Sequence, residues 1–118
     1  MSDRQQTNIN DYLISQRDMT DEKVNSDRSF PLAKRLVCRD GFSLSVQATS
    51  GAYCSPRTNR GPWDQVEVGY PSAMPELIMD YAEDPDRPTD TVYGYVPVAL
   101  INQLIDLHGG MAAQGEQT

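Results

Sequence analysis

The stretch Arg35-Leu36-Val37-Cys38-Arg39-Asp40-Gly41-Phe42-Ser43-Leu44-Ser45-Val46-Gln47-Ala48 decides the fold. Phe42, Leu44, Val46 and Ala48 alternate with Ser43, Ser45 and Gln47, the period of a half-buried strand. Asp40-Gly41 is a hairpin turn signal. A two-residue loop would pair Val37 with Leu44 and turn Leu36 and Cys38 to the opposite face. A three-residue loop, Arg39-Asp40-Gly41, pairs Cys38 with Phe42 and Leu36 with Leu44. It gathers Leu36, Cys38, Phe42, Leu44 and Val46 on one face. Register follows the buried face, so the longer loop is expected, with Gly41 left-handed at a bulge.

C-terminal to the hairpin, residues 49–62 carry Gly51, Pro56, Asn59, Gly61 and Pro62 and read as a long loop, of the kind that more often than not has a function. Gln65 to Tyr70 alternates again, with Val66, Val68 and Tyr70 on one face and Gln65 and Glu67 on the other. That pattern suits an antiparallel sheet with one wet face. Residues Glu76 to Glu83 predict a short helix opened by Pro75, with Leu77, Ile78 and Tyr81 inward. Asp84 to Asp90 is turn and loop, and Thr91 to Val96 is β-branched and aromatic, hence a strand. Between Pro97 and Gly109, Val98, Ile101, Leu104, Ile105 and His108 keep helical spacing. The expected fold class is α+β: a three- to four-stranded, mostly antiparallel sheet with a C-terminal helix packed on one face. The expected organisation is a flexible polar arm over residues 1–30, a single domain over 31–110 and a frayed tail over 111–118. Within the arm, only the spacing of Ile9, Tyr12 and Leu13 allows a turn or two of helix that docks on a neighbour.

Ten Lys and Arg stand against seventeen Asp and Glu. Direct binding of nucleic acid needs clustered basic charge, so that partner class is not expected. Basic protein surfaces fit the charge, and the plainer reading is that net negative charge keeps the chain in solution. The sequence carries no secretory leader pattern and no apolar run long enough to span a membrane. Two cysteines, Cys38 and Cys54, make no disulfide framework and fit a reduced cytosolic setting.

The strings Asp40-Gly41-Phe42, Ser45-Val46-Gln47-Ala48, Tyr53-Cys54-Ser55-Pro56-Arg57, Val66-Glu67-Val68-Gly69-Tyr70-Pro71, Tyr81-Ala82-Glu83-Asp84-Pro85, Val92-Tyr93-Gly94-Tyr95-Val96-Pro97 and His108-Gly109-Gly110 resemble those of small proteins encoded by bacteriophages and prophages. The resemblance spans roughly Arg35 to Gly110. It implies context and no catalytic residue: a phage accessory protein acting in the host bacterial cytoplasm. Many such proteins inhibit host machinery, including anti-CRISPR and other anti-defence proteins, so the implied partner is a host bacterial protein or a defence complex.

The leading candidate site is the sheet face away from the helix. If Val92, Gly94 and Val96 face inward, Gly94 lets the last helix approach, and Tyr93 and Tyr95 point outward beside Ser43, Ser45, Gln65 and Glu67. Exposed tyrosines among small polar residues suit a protein interface, which Trp63 and the acidic loop Asp84, Asp86 and Asp90 would extend. The alternative is the inverse facing, with both tyrosines in the core. A second candidate is the loop Tyr53, Cys54 and Arg57, where Cys54 near Arg57 and Arg60 could be a nucleophile or the loop could hold a small ligand. The alternative is that Tyr53 and Cys54 tuck under the sheet edge while Arg57 pairs with a carboxylate. No positioned base accompanies Cys54, since the single histidine is His108, at the end of the last helix. There His108 fits a cation on the helix dipole. Cys38, Cys54 and His108 lack the paired spacing of a metal site, and the acidic loop lacks that of a calcium loop, so no metal or cofactor is expected. The chain is therefore expected to bind rather than catalyse, with a homodimer through the open sheet face as a further alternative.

Overall fold

The structure is a computed structural model in which residues 8–15 and 33–112 are described. Helix α1 spans Ile9–Ser15. Strands β1 (Leu36–Val37), β2 (Ser43–Gln47) and β3 (Gln65–Gly69) follow, then a 3-10 segment (Glu76–Tyr81), strand β4 (Val92–Pro97) and helix α2 (Val98–Leu107). The sheet runs β1-β2-β3-β4, and every neighbouring pair is antiparallel. The fold is thus α+β, with the C-terminal helix laid on one face.

The hairpin adopts the longer loop. Leu36 pairs with Leu44, Cys38 N–H donates to Phe42 O, and Gly41 N–H donates to Cys38 O. Gly41 takes φ +99°, a left-handed value that glycine adopts without Cβ strain. Leu36, Cys38, Phe42, Leu44 and Val46 are all buried, joined by Val66, Val68 and Val96 from the neighbouring strands and by Ile101, Leu104 and Ile105 from α2.

The end of α2 clamps this turn. Gly109 and Gly110 take φ +89° and +86°, and Gly110 N–H donates back to Ile105 O. The released chain meets the hairpin, where Asp40 N–H donates to His108 O and Arg39 N–H to Gly110 O. The His108 ring stacks on Phe42 at 4.0 Å, and its Nδ1 donates to Asp40 Oδ2 at 2.6 Å. His108 is therefore a tie to the hairpin as well as a helix-end residue. The Phe42 N–H, then the His108 ring, hold the Asp40 carboxyl below its usual range. Cys38 is driven the other way: burial, then the charge of Asp40, pushes its thiol up to about 11.

The expected boundaries need correction at both ends. Met111 pairs with Cys38 and Ala112 N–H donates to Val37 O, so the start of the supposed tail lies along β1. Within the supposed arm, Ile9 and Leu13 are fully buried. Asn8 Oδ1 accepts the Asn10 N–H as an N-cap, and Asn102 Oδ1 of α2 accepts the Ile9 N–H. Asn10 bonds both backbone groups of Trp63. A Cβ at Gly61 would sit 2.8 Å from the Trp63 ring and 3.0 Å from Ile14, so glycine permits this junction. Residues 1–7, 16–30 and 113–118 of the predicted arm and tail lie outside the described residues.

The expected helix after Pro75 is instead the 3-10 segment, broken at Ile78 (φ −120°, ψ 15°). Ile78 is buried as expected, but Leu77 is exposed, because tighter winding turns it away from the core.

Two measurements test these ties. Leu13→Ala should lower the unfolding free energy by about 2–5 kcal/mol in urea denaturation, where a dispensable arm would leave it unchanged. Because Asp40 binds its proton less readily folded than unfolded, its stabilisation is present at neutral pH and fades as pH falls through the lowered folded value. Asp40→Asn should accordingly lower Tm at neutral pH, and the gap to the unmodified chain should close on acidification below about pH 4.

Candidate protein interface

β3 and β4 do not pair evenly. Val66 faces Val96 and Val68 faces Tyr93, so the single residue Glu67 opposes both Gly94 and Tyr95. This is a β-bulge, and it turns every residue before it by one position. Tyr93 therefore enters the core and Val92 moves to the outer face, where its methyl lies 3.7 Å from the position of a Gly69 Cβ. Tyr95 remains outside at φ +56°, a left-handed value costing about 1–2 kcal/mol for a residue with a side chain.

Neither of the two facings expected from the sequence is found, since the bulge separates the tyrosines. Tyr93 is fully buried, and its hydroxyl donates to Pro88 O at 2.6 Å, tying down the acidic loop. Burial raises its pKa. Gly94 also serves a different purpose from the one expected. It faces the long loop and not the helix: a Cβ there would lie 3.4 Å from Tyr53 Cβ, in ordinary contact.

The long loop thus folds over β4. Tyr53 N–H donates to Glu67 Oε1 at 2.9 Å, and Tyr53 O accepts the Tyr95 N–H at 3.0 Å. The two rings stand 6.0 Å apart at 33°, with Tyr53 45% and Tyr95 41% exposed. On the same face β3 carries half-buried Gln65 and Glu67, and β2 carries Gln47 opposite Glu67, with half-buried Ser45 and Ser43 successively farther along the strand. Gln47 is buried there because its amide bonds both backbone groups of Ala33.

The other expected site residues fall elsewhere. Trp63 is buried at 2% exposure, with its indole N–H donating to Thr58 O, so it anchors the loop and does not extend an outer patch. Asp84, Asp86 and Asp90 are exposed, but their loop is tied to the inner side through Tyr93 and to itself: Asp84 Oδ1 accepts the Asp86 N–H and Asp90 pairs with Arg87. Cys54 is fully buried, with its thiol facing the carbonyls of Thr49 and Pro56, as the tucked alternative has it, while Tyr53 is not tucked but partly exposed. Arg57 is exposed on the same loop. The described residues contain no group of three or more His, Cys, Asp or Glu placed to hold a metal ion. No helix among them is long and apolar enough to cross a membrane.

Sequence reasoning missed Glu67 as the residue that joins the two tyrosines, and treated Tyr53 as part of a separate site. The available signal was Gly94, since glycine inside a strand pattern marks a bulge or a close backbone approach. Here it marks both.

The sheet leaves little backbone for a partner strand. Met111 and Ala112 lie on β1. Beside β4, Ala82 bridges Tyr93, Glu83 N–H donates to Val92 O, and Tyr53 takes the Tyr95 N–H. With its edges covered in this way, the sheet can meet another molecule chiefly through side chains.

No family model matches the chain, and neither a curated protein nor a solved structure does.

The left-handed backbone gives a specific test. With the ring removed in both cases, Tyr95→Gly should be more stable than Tyr95→Ala by about 1 kcal/mol in thermal or urea unfolding. That reverses the ordinary order of the two residues in a strand.

Proposed function

We propose that this chain is a bacteriophage accessory protein that works in the host bacterial cytoplasm by binding a host protein, with no chemistry of its own. A host defence complex, CRISPR-based or other, is the target most in keeping with the resemblance to phage and prophage proteins. The observation that carries the binding reading is the exposed Tyr53–Tyr95 pair. Its backbone is held by Glu67 and by a bulge that keeps a tyrosine in a left-handed conformation. Backbone strain of this kind collects at functional sites, and tyrosine is among the residue types enriched at protein interfaces.

Cys54 is buried with its thiol against the carbonyls of Thr49 and Pro56, which supports binding over an enzymatic role for that loop. Affinity capture from the host bacterium tests the proposal. A host protein should be retained by the unmodified chain and lost with the Tyr53→Ala, Tyr95→Ala double variant, whose folding is checked by circular dichroism. Retention that is equal for both chains, or absent for both, would overturn it.

A further inference from the structure

Resting on that interface reading, we propose that the Tyr53–Tyr95 pair and Glu67 receive an arginine side chain from a basic segment of the partner protein. Three observations converge on this chemistry. The two rings present adjacent, partly exposed π faces, 6.0 Å apart and tilted by 33°, and a cation is attracted to such faces. Glu67 spends one carboxylate oxygen, Oε1, on the Tyr53 N–H, and its Oε2 has no donor among the described residues. On the outer face beside the pair stand Gln65, Glu67 and, across from Glu67 on β2, Gln47, so an apolar side chain laid there would meet polar groups on that side.

Guanidinium satisfies both halves of this site. Its flat faces stack on aromatic rings while its edge donates to a carboxylate, which an ammonium point charge does less well. The net charge of −7 favours approach of a basic segment over an acidic one. Arg57 and Arg60 stand on the same loop, so the pair is not simply part of an acidic patch. Selection must therefore come from the rings and Glu67, and the variants below address those groups.

The site is also built in advance. Tyr53 is held at both backbone groups, by Glu67 Oε1 and by the Tyr95 N–H, and its Cβ lies over Gly94. An arginine would meet rings whose positions are already set, which lowers the ordering cost of association.

The test uses the full chain, isotope-labelled, titrated with hexa-arginine, hexalysine and hexaglutamate while the amide and tyrosine ring signals are followed by NMR. Hexa-arginine should shift Tyr53, Tyr95 and Glu67 saturably, with hexalysine weaker and hexaglutamate without effect. Tyr95→Ala and Glu67→Gln should each weaken hexa-arginine by at least about fivefold, and Tyr95→Phe should retain it. The Gln amide oxygen can still accept the Tyr53 N–H, which separates loss of charge from loss of the loop. Shifts confined to residues 83–90, equal effects of the two cationic peptides, or indifference to Tyr95→Ala would overturn the proposal. If capture of a host protein needs both tyrosines while hexa-arginine leaves their signals unmoved, the cation site fails and the interface reading stands. If capture is indifferent to both tyrosines but hexa-arginine binds there, the pair holds arginine but not from the captured protein, and the interface reading fails together with the partner assignment.

Discussion

One extra residue in β4 governs the outer surface of this protein. Glu67 faces both Gly94 and Tyr95, and the even alternation of the strand is broken at that point. A strand without the bulge would place Tyr93 and Tyr95 on the same side. With it, Tyr93 joins the core alongside Val96 while Tyr95 stays in solvent. The core thereby acquires a large aromatic side chain whose hydroxyl secures the loop that precedes its own strand. The cost is a left-handed tyrosine, maintained because the backbone around it is tied on several sides.

The remaining architecture completes a core that the hairpin and one helix could not close alone. A domain of this size has little apolar surface to bury, so contributions from distant segments matter. Ile9 and Leu13 arrive from one end of the chain and Met111 from the other, and both segments are fastened to interior elements by hydrogen bonds as well as by packing. The polar ties are specific. Asn10 bonds both backbone groups of Trp63, and His108 both stacks on Phe42 and donates to Asp40. Each satisfies groups that a loosely attached segment would leave to water.

The same economy shapes the outer face. Glu67 both opposes the bulge and accepts the Tyr53 N–H, so a single residue links sheet register to loop position. The aromatic pair is consequently part of the framework and not an appendage on a mobile tip. Because loop or terminal residues occupy backbone groups along β1 and β4, the features left for recognition on this side are side chains: two tyrosine rings, a carboxylate and a set of small polar groups.

Much of the fold was legible along the chain because its cues are local. Alternation from Phe42 to Ala48, a glycine at the turn and three-four spacing from Val98 to Ile105 each act within a few residues, and each element forms where those cues stand. The hairpin register was legible for the same reason, since only one loop length gathers Leu36, Cys38, Phe42, Leu44 and Val46 on one buried face. What the linear pattern could not decide was which tyrosine of β4 is outside, that Tyr53 lies over Gly94, or that Leu13 and Trp63 belong to one core. Those outcomes depend on a register shift against β3 and on contacts between residues far apart in the chain. Local periodicity carries no information about either, because a bulge is selected by how two strands and the loop above them fit together, and that fit exists only once the chain has folded.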